Sequence, residues 1–324
     1  MSLRHITLRQ LVVFEALARH RSFSAAAKAL HLTQPAVSMQ VRQLEDAAGV
    51  ALVERFGKRI DLTEAGAELA RCARDVEARL KDADDALATI RGLRGGTLDI
   101  AVLSTAKYFA PHLLAEFRRR HPDVSLRLAV SNREAVLTAL AENRTDLAIM
   151  GQPPKGLEVE AQVFAPHPLV IIAPPAHPLA RNKRLRLADL AKENMLIREP
   201  GSGTRSAMER LFAQQGVRLR SSTEMSSNET IKQAVMAGMG IAFISLHTIG
   251  LEVKARRLVT LPVAGTPVMR NWHVIHLARK RLSPIAQSFK DFLLEEGTDL
   301  LRRAVGFEGR AARAHSGRVH SGSR

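Results

Sequence analysis

Gln34 and Arg42 lie eight residues apart on one face of a helix-patterned segment, with Ser38 and Met39 between them. Glutamine and arginine are the side chains that match adenine and guanine edges bidentately in a DNA major groove. On the opposite face Val37, Val41 and Leu44 recur at i, i+4 and i+7, the spacing of a buried stripe. Thr33 suits the N-cap of this helix and Pro35 its first turn, where a missing N–H costs little. Just upstream, Ser24, Ala25, Ala26, Ala27 and Ala29 predict a slim helix, and Leu30 and Leu32 give apolar contacts around a turn. Residues 22–45 therefore predict a helix-turn-helix with Ser24, Thr33, Gln34, Pro35, Ser38, Met39 and Arg42 as its DNA contacts. A small helical hairpin with a merely solvated polar face fits the same residues, and the rest of the chain must decide.

A second group consists of polar corners that open helices: Ser104-Thr105, Ser131-Asn132, Gly201-Ser202-Gly203-Thr204 and Ser227-Asn228. In open α/β sheets, ligands bind beyond the carboxyl ends of strands, and helix N-termini offer free N–H groups to anions. The predicted cleft set is Ser104, Thr105, Lys107, Ser131, Asn132, Gly203, Thr204, Arg205, Asn228 and Arg270, with Arg198 as a further nearby charge. Taken singly, each Ser or Asn reads first as an ordinary N-cap, and it is the shared arrangement in both lobes that favours a ligand cleft.

The elements that must position these groups follow from patterning. An opening helix carries Leu8, Leu11, Val12, Phe14 and Leu17. Residues 51–62 have apolar ends around a basic, glycine-containing turn, which predicts a β-wing with Arg55, Lys58 and Arg59 beside the DNA backbone. A long helix from Thr63 to about Arg91 carries Leu69, Val76, Ala83 and Ile90 in one row spaced by seven, and Ala73, Leu80 and Leu87 in a second. Such rows form a coiled-coil seam, so Leu69, Val76, Leu80 and Leu87 are predicted to dimerise the chain; a helix buried on its own domain is the other reading. Cys72 falls on the apolar side of this helix and reads as a packing residue.

Beyond a glycine-rich hinge at 92–96, strands and helices alternate, which implies a mostly parallel sheet covered on both faces. Strands are predicted at 98–102, 125–130, 147–150, 169–173, 195–197, 241–245 and 271–277, and helices at 109–120, 133–142, 206–215, 229–237 and 284–294. A Ser-Asn corner, a helix and a buried strand occur at 131–150 and again at 227–245, so two related lobes are expected. The fold class is thus α/β, with an N-terminal all-α winged helix-turn-helix, a long linker helix and a two-lobed, periplasmic-binding-protein-like domain. The expected boundaries are 1–62, 63–95 and 96–297, with lobe I at about 96–166 and 269–297 and lobe II at about 167–268. Residues 298–324 are rich in Gly, Ser, Ala, Arg and His and read as a disordered basic tail.

Composition agrees. A chain of 324 residues has room for two or three domains, and a formal charge of +16 favours an anionic partner. One cysteine excludes a disulfide framework, and no run approaches a membrane span or a signal peptide, so a cytoplasmic protein is expected. Catalysis finds no support. His112, His121, His167, His177, His247, His273 and His276 lack metal-ligand spacing, and most lie in predicted loops or beside proline. Gly201-x-Gly203 lacks a third glycine, no Walker-type lysine follows it, and no G-x-S-x-G elbow is present. No enzyme activity, metal or cofactor is expected.

The residues Phe23-Ser24-Ala25-Ala26-Ala27, Thr33-Gln34-Pro35-Ala36-Val37-Ser38, Leu44-Glu45, Leu52-x-x-Arg55 and Leu62-Thr63-x-x-Gly66 resemble the LysR-type transcriptional regulators. The resemblance runs from about residue 3 to 296, departing at Val53, where the wing pattern usually has Phe. Four further stretches, Leu8-Arg9-Gln10-Leu11, residues 104–111, residues 148–154 and Arg270-Asn271-Trp272-His273, resemble the subgroup that regulates RuBisCO and Calvin-cycle operons. The resemblance implies a bacterial regulator of carbon-fixation genes, a homodimer assembling to a homotetramer on double-stranded promoter DNA. It also implies a small anionic effector between the lobes: a phosphorylated sugar, phosphoenolpyruvate or NADPH.

Two other readings remain open. One is a LysR-type regulator of sulfur assimilation or aromatic catabolism, whose cleft would hold sulfate or an aromatic acid. The other is a solute-binding or catalytic α/β protein with an incidental helix-turn-helix.

Overall fold

The computed structural model describes residues 5–56, 59–90 and 96–306, the side chains of 55, 56, 59, 85, 86 and 88–90 excepted. The expectations for Lys58, for the hinge at 92–95 and for the tail from 307 onward lie outside the described residues, as do the side chains of Arg55 and Arg59. The described chain forms two compact units, one ending with the long helix and one beginning after it.

In the first unit, α1 (Leu8–His20), α2 (Phe23–Ala29) and α3 (Gln34–Ala48) precede a hairpin of β1 (Val53–Phe56) and β2 (Arg59–Leu62), and α4 (Glu64–Ile90) follows. Each of the first three helices is started by a side chain. Thr7 and Gln10 form a reciprocal capping box, Ser22 accepts from the Ala25 N–H, and Thr33 accepts from the Ala36 N–H. α3 ends at Gly49, whose φ of 73° is the left-handed conformation glycine adopts without a Cβ clash. Glu45 of α3 accepts from the Leu52 and Val53 N–H groups at 2.9 and 3.3 Å, tying the hairpin to the helix before it.

The core of this unit joins Phe14, Leu17, Phe23, Val37, Val41, Leu44 and Leu52 with Leu69 and Ala73 of α4, and Val76 packs against it. That corrects the expected seam: Leu69 and Val76 lie in an intrachain core, because the first turns of α4 pack on α1. Leu80 and Leu87 stay exposed, at 44% and 50%. Cys72 is exposed as well, against the expectation that it packs inward; it falls between the buried Leu69 and Ala73 in sequence but not on their face.

The second unit is built on one twisted sheet in the order β4-β3-β5-β11-β6-β9-β7-β8, with β10 also on β6. Its elements are β3 (Gly96–Leu103), α5 (Ala110–Arg120), β4 (Val124–Ser131), α6 (Arg133–Ala141), β5 (Leu147–Met150), β6 (Val159–Ala173) and β7 (Asn194–Arg198). They continue with α7 (Gly203–Gln214), β8 (Ser221–Met225), α8 (Asn228–Met236), β9 (Ile241–Ser245), α9 (Gly250–Lys254), β10 (Val259–Leu261), β11 (Val268–Leu277) and α10 (Pro284–Val305). Two parallel triplets, β4-β3-β5 and β8-β7-β9, repeat one topology and form the two lobes.

The lobes are joined by β6 and β11, which run antiparallel from Val268 opposite Leu169 to Leu277 opposite Val159, with a register shift between Trp272 and His273. Helices cover both faces. Phe109, Leu113 and Phe117 pack with Phe289 and Leu293 on one side of lobe I, while Val136 and Leu140 of α6 cover the other. α10 continues through 298–305, burying Leu301 and Val305, so these residues are helix, against the expectation of a disordered tail from 298. Gly297 lets this helix pass the Phe164 ring, which an added Cβ would meet at 2.7 Å.

One close approach in the first unit is testable. A Cβ on Gly66 would lie 1.9 Å from the Leu52 carbonyl oxygen, a backbone atom that cannot turn aside. Gly66→Ala should therefore destabilise the winged unit by about 1–3 kcal/mol, read as a lower first melting transition in calorimetry with the second transition unmoved.

Candidate functional site

On α3 the buried Val37, Val41 and Leu44 leave Gln34, Pro35, Met39 and Arg42 exposed and Ser38 half-buried. Gln34, Ser38 and Arg42 thus share the solvent side of the second helix of a helix-turn-helix. Ser24 is exposed on α2, and Thr33 serves as the α3 cap.

In the second unit a cleft opens between the lobes, with about 440 Å³ of empty space, part of it open to solvent. Its lining includes six of the predicted residues: Ser104, Thr105, Asn132, Gly203, Thr204 and Arg270. Lys107, Ser131, Arg205 and Asn228 are not in the lining. Lys107 is exposed, with its Nζ 5.1 Å from the Tyr108 ring centroid. Ser131 gives its carbonyl to the Ser104 N–H at 2.9 Å. Arg205 turns away to Glu209 and Glu224, at 2.8 and 2.6 Å. Asn228 is buried behind the cleft wall, where its Nδ2 donates to Thr105 Oγ1 at 3.2 Å and its Oδ1 accepts from Arg198 at 2.6 Å. This chain of bonds crosses from lobe I to lobe II.

A second crossing lies beside it. The Tyr108 hydroxyl donates to Glu229 at 2.9 Å, and the buried Lys232 bonds Glu252 and Glu229 at 2.6 and 3.2 Å, its ammonium 4.6 Å from the Tyr108 ring centroid. Burial, then the bond to Glu229, pushes the Tyr108 hydroxyl pKa up. Burial raises the Glu229 carboxyl, but the bonds from Tyr108 and Lys232 outweigh it and hold the group below its ordinary value.

Which corners are free follows from the caps. Asn132 accepts from the Ala135 N–H at 2.9 Å, and Ser227 accepts from Glu229 and Thr230, so the starts of α6 and α8 are conventionally capped. Ser202 makes no side-chain cap, and α7 opens into the cleft at Gly203 and Thr204 with its first N–H groups free of a cap.

Charge is arranged around that helix end. Arg198 forms a two-point pair with Glu199, both contacts at 2.7 Å, and is neutralised there. Arg270 instead donates to the Gly203 carbonyl at 2.7 Å, the Gly151 carbonyl at 3.3 Å and Gln152 Oε1 at 3.2 Å. Arg133 donates to the Gln152 and Pro153 carbonyls at 2.9 and 3.4 Å. Neither guanidinium meets a carboxylate among the described residues, and burial lowers the pKa of both, with Arg210 and Arg133 adding repulsion at Arg270. Both remain charged at neutral pH, because arginine does not deprotonate in proteins. Two under-compensated cations beside an uncapped helix N-terminus suit an oxyanion.

Sequence reasoning missed Arg133, Gln152, His167, Glu199 and Trp272, all in the lining, while Ser202 belongs to a corner it had named. Arg133 did carry a signal, since a cation in a first helical turn opposes the macrodipole and needs another reason to be there. No group of three His, Cys, Asp or Glu among the described residues is arranged to hold a metal ion, and no described helix is long and apolar enough to cross a membrane.

Comparison with known proteins places this architecture. Residues 8–67 match the bacterial regulatory helix-turn-helix protein, lysR family, and residues 91–298 match the LysR substrate binding domain. The chain belongs to the LysR family of transcriptional regulators, and is not an enzyme. Among its relatives, the RuBisCO operon transcriptional regulator of Allochromatium vinosum is 51% identical over 292 residues, covering 90% of this chain and 97% of that protein. The HTH-type transcriptional regulator CfxR of Cupriavidus necator is 48% identical over 304 residues, covering 94% and 96%. Among solved structures, the regulatory domain of Synechocystis PCC6803 CcmR in complex with 2-PG matches with a TM-score of 0.59 and 41% identity, covering 62% of this chain and 96% of that one.

The aromatic floor of the cleft gives a pH prediction. Trp272 donates its indole N–H to His247 Nδ1 at 3.0 Å, so that nitrogen carries a lone pair, and burial holds the His247 pKa down at about 4. An unfolded histidine titrates near 6.5, so between those values the unfolded state binds the extra proton and stability falls as pH falls. Urea unfolding followed by Trp272 fluorescence should lose about 2 kcal/mol from His247 alone between pH 7 and pH 5. His247→Gln, which keeps an acceptor for the indole but does not titrate, should remove that part of the dependence.

Proposed function

We infer that this chain regulates carbon-fixation genes, the RuBisCO or Calvin-cycle operons, in response to a small phosphorylated anion held between its lobes. The observation that carries the effector class is the placing of Arg270 and Arg133, without carboxylate partners, beside the uncapped start of α7. The relatives named above support the gene class, and the 2-PG held by the CcmR domain, a small anionic metabolite, agrees with the chemistry of the cleft. Thr105, Thr204, Arg270 and Arg133 hold the effector in this reading, and Gln34, Ser38, Met39 and Arg42 face base edges of double-stranded promoter DNA, with the wing of β1 and β2 beside the backbone.

Melting the protein with phosphorylated metabolites, sulfate and aromatic acids tests the effector class. A bound ligand at a hundred times its Kd raises unfolding stability by about 2.7 kcal/mol. Phosphoenolpyruvate, a sugar bisphosphate, NADPH or 2-phosphoglycolate should give such a shift, and Arg270→Ala should abolish it while leaving ligand-free DNA binding in place. Shifts from aromatic acids or sulfate alone would assign the chain to another pathway.

The assembly is a homodimer pairing into a homotetramer in this reading. Leu80 and Leu87, seven residues apart and exposed on α4, supply the apolar contact between two chains. Leu80→Asp would bury an unpaired carboxylate there, so sedimentation should show smaller assemblies with operator affinity reduced. An unchanged oligomer with this variant would remove α4 from the interface.

A further inference from the structure

His167 is the cleft residue that neither the caps nor the ion pairs explain. It is 3% exposed, and neither ring nitrogen has a hydrogen-bond partner in the protein. Its place is fixed by the crossing strands, because His167 of β6 stands opposite Arg270 of β11. Trp272, two residues further along β11, stacks on the imidazole at 3.9 Å with 15° between the planes, and His247 lies 6.0 Å away. A Cβ on Gly151 would sit 3.0 Å from His167 Nδ1, and a Cβ on Gly203 would sit 3.3 Å from Arg270 Nη1. Two glycines therefore keep the surroundings of the ring and of the guanidinium clear.

A buried polar atom without a partner costs free energy that a ligand atom can return. Burial, with His247 and Arg270 nearby, keeps this imidazole uncharged well below its ordinary value. A neutral ring offers one N–H donor and one acceptor, unlike the cations beside it, which only donate and act by charge. Apolar packing does not account for it either, since a phenylalanine would stack on Trp272 without orphaning two nitrogens.

We propose that His167 is a specificity-determining effector contact that hydrogen-bonds a carboxyl or hydroxyl oxygen on the carbon skeleton, while Arg270, Arg133 and the start of α7 take the phosphate. The ligand class is a small phosphate monoester with a second oxygen function close to the phosphate. This rests on the anionic-effector reading above and deepens it. A site built to hydrogen-bond a ligand group discriminates strongly against the analogue lacking it, because its own polar atom is then left unpaired.

Calorimetric titration of the full-length protein with 2-phosphoglycolate, ethyl phosphate and inorganic phosphate tests it. The wild type should prefer 2-phosphoglycolate over ethyl phosphate by about tenfold or more. His167→Phe, which keeps the stack on Trp272, should reduce that preference to about threefold or less with ethyl phosphate affinity unchanged, and His167→Gln should restore most of it. Should the Phe variant not fold, nitrogen-15 histidine spectra of the wild type decide: the His167 resonances, identified by their absence in His167→Gln, should move with 2-phosphoglycolate and not with ethyl phosphate. A full preference retained in His167→Phe, or unmoved His167 resonances, overturns the role of His167 and leaves the anionic-effector reading standing. A wild type that binds none of the three, nor the other phosphorylated metabolites, overturns that reading and the His167 contact with it.

Discussion

The antiparallel pairing of β6 with β11 is the constraint on which the second unit depends. Each strand is long enough to belong to both lobes: β6 pairs with β11 along its length and with β9 and β10 at its far end, and β11 pairs with β5 in lobe I. The cleft therefore has a floor made of the two strands that both lobes share. His167, Arg270 and Trp272 stand on that floor, so a ligand touching them touches the two strands that join the lobes. The parallel triplets on either side bring their strand ends, and the helices that follow, around the same space.

Around this floor the protein separates charges that are satisfied from charges that are not. Arg198 with Glu199, Arg205 with Glu209 and Glu224, and Lys232 with Glu252 are all paired within the fold. Arg270 and Arg133 reach only carbonyl and amide oxygens, which orient a guanidinium without cancelling its charge. The bonds Tyr108–Glu229 and Thr105–Asn228–Arg198 span the lobes. Thr105, Arg198 and the guanidiniums of Arg270 and Arg133 line the same cleft, so the contacts that hold the lobes together and the groups suited to an anion are neighbours.

The sequence displayed those parts of the fold whose signals are local. The cap at Thr33, Pro35 in the first turn of α3 and the stripe Val37, Val41, Leu44 define the recognition helix without any tertiary information. The repeated Ser-Asn corner likewise exposed the two lobes. Elements whose pattern is mixed were hidden. The part of β6 before Leu169 contains Pro166 and Pro168, β8 is largely polar, β10 has three residues, and Gly297 interrupts the pattern of α10. In the cleft, nearness in sequence misled: Lys107 and Arg205 sit beside the right corners but point to Tyr108 and to glutamates. His167 looked like a loop residue between prolines, and its value depends on Arg270 and Trp272, about a hundred residues away. For α4 the buried reading held over its first turns, where Leu69 and Val76 pack within the chain, while Leu80 and Leu87 are exposed.

Gly151 and Gly203 have a consequence for heredity. A methyl group added at either would press on the tip of a side chain, the His167 ring or the Arg270 guanidinium, whereas at Gly66 it would press on backbone. The Arg270 guanidinium ends a flexible chain and can give way where a carbonyl cannot, whereas the His167 ring, buried against Trp272, has less room to do so. These two codons are thus places where a single methyl group would enter the cleft and not the backbone around it. Under the proposed reading of the cleft, a Gly-to-Ala change at either position would crowd the groups that meet the ligand in a chain whose backbone is undisturbed.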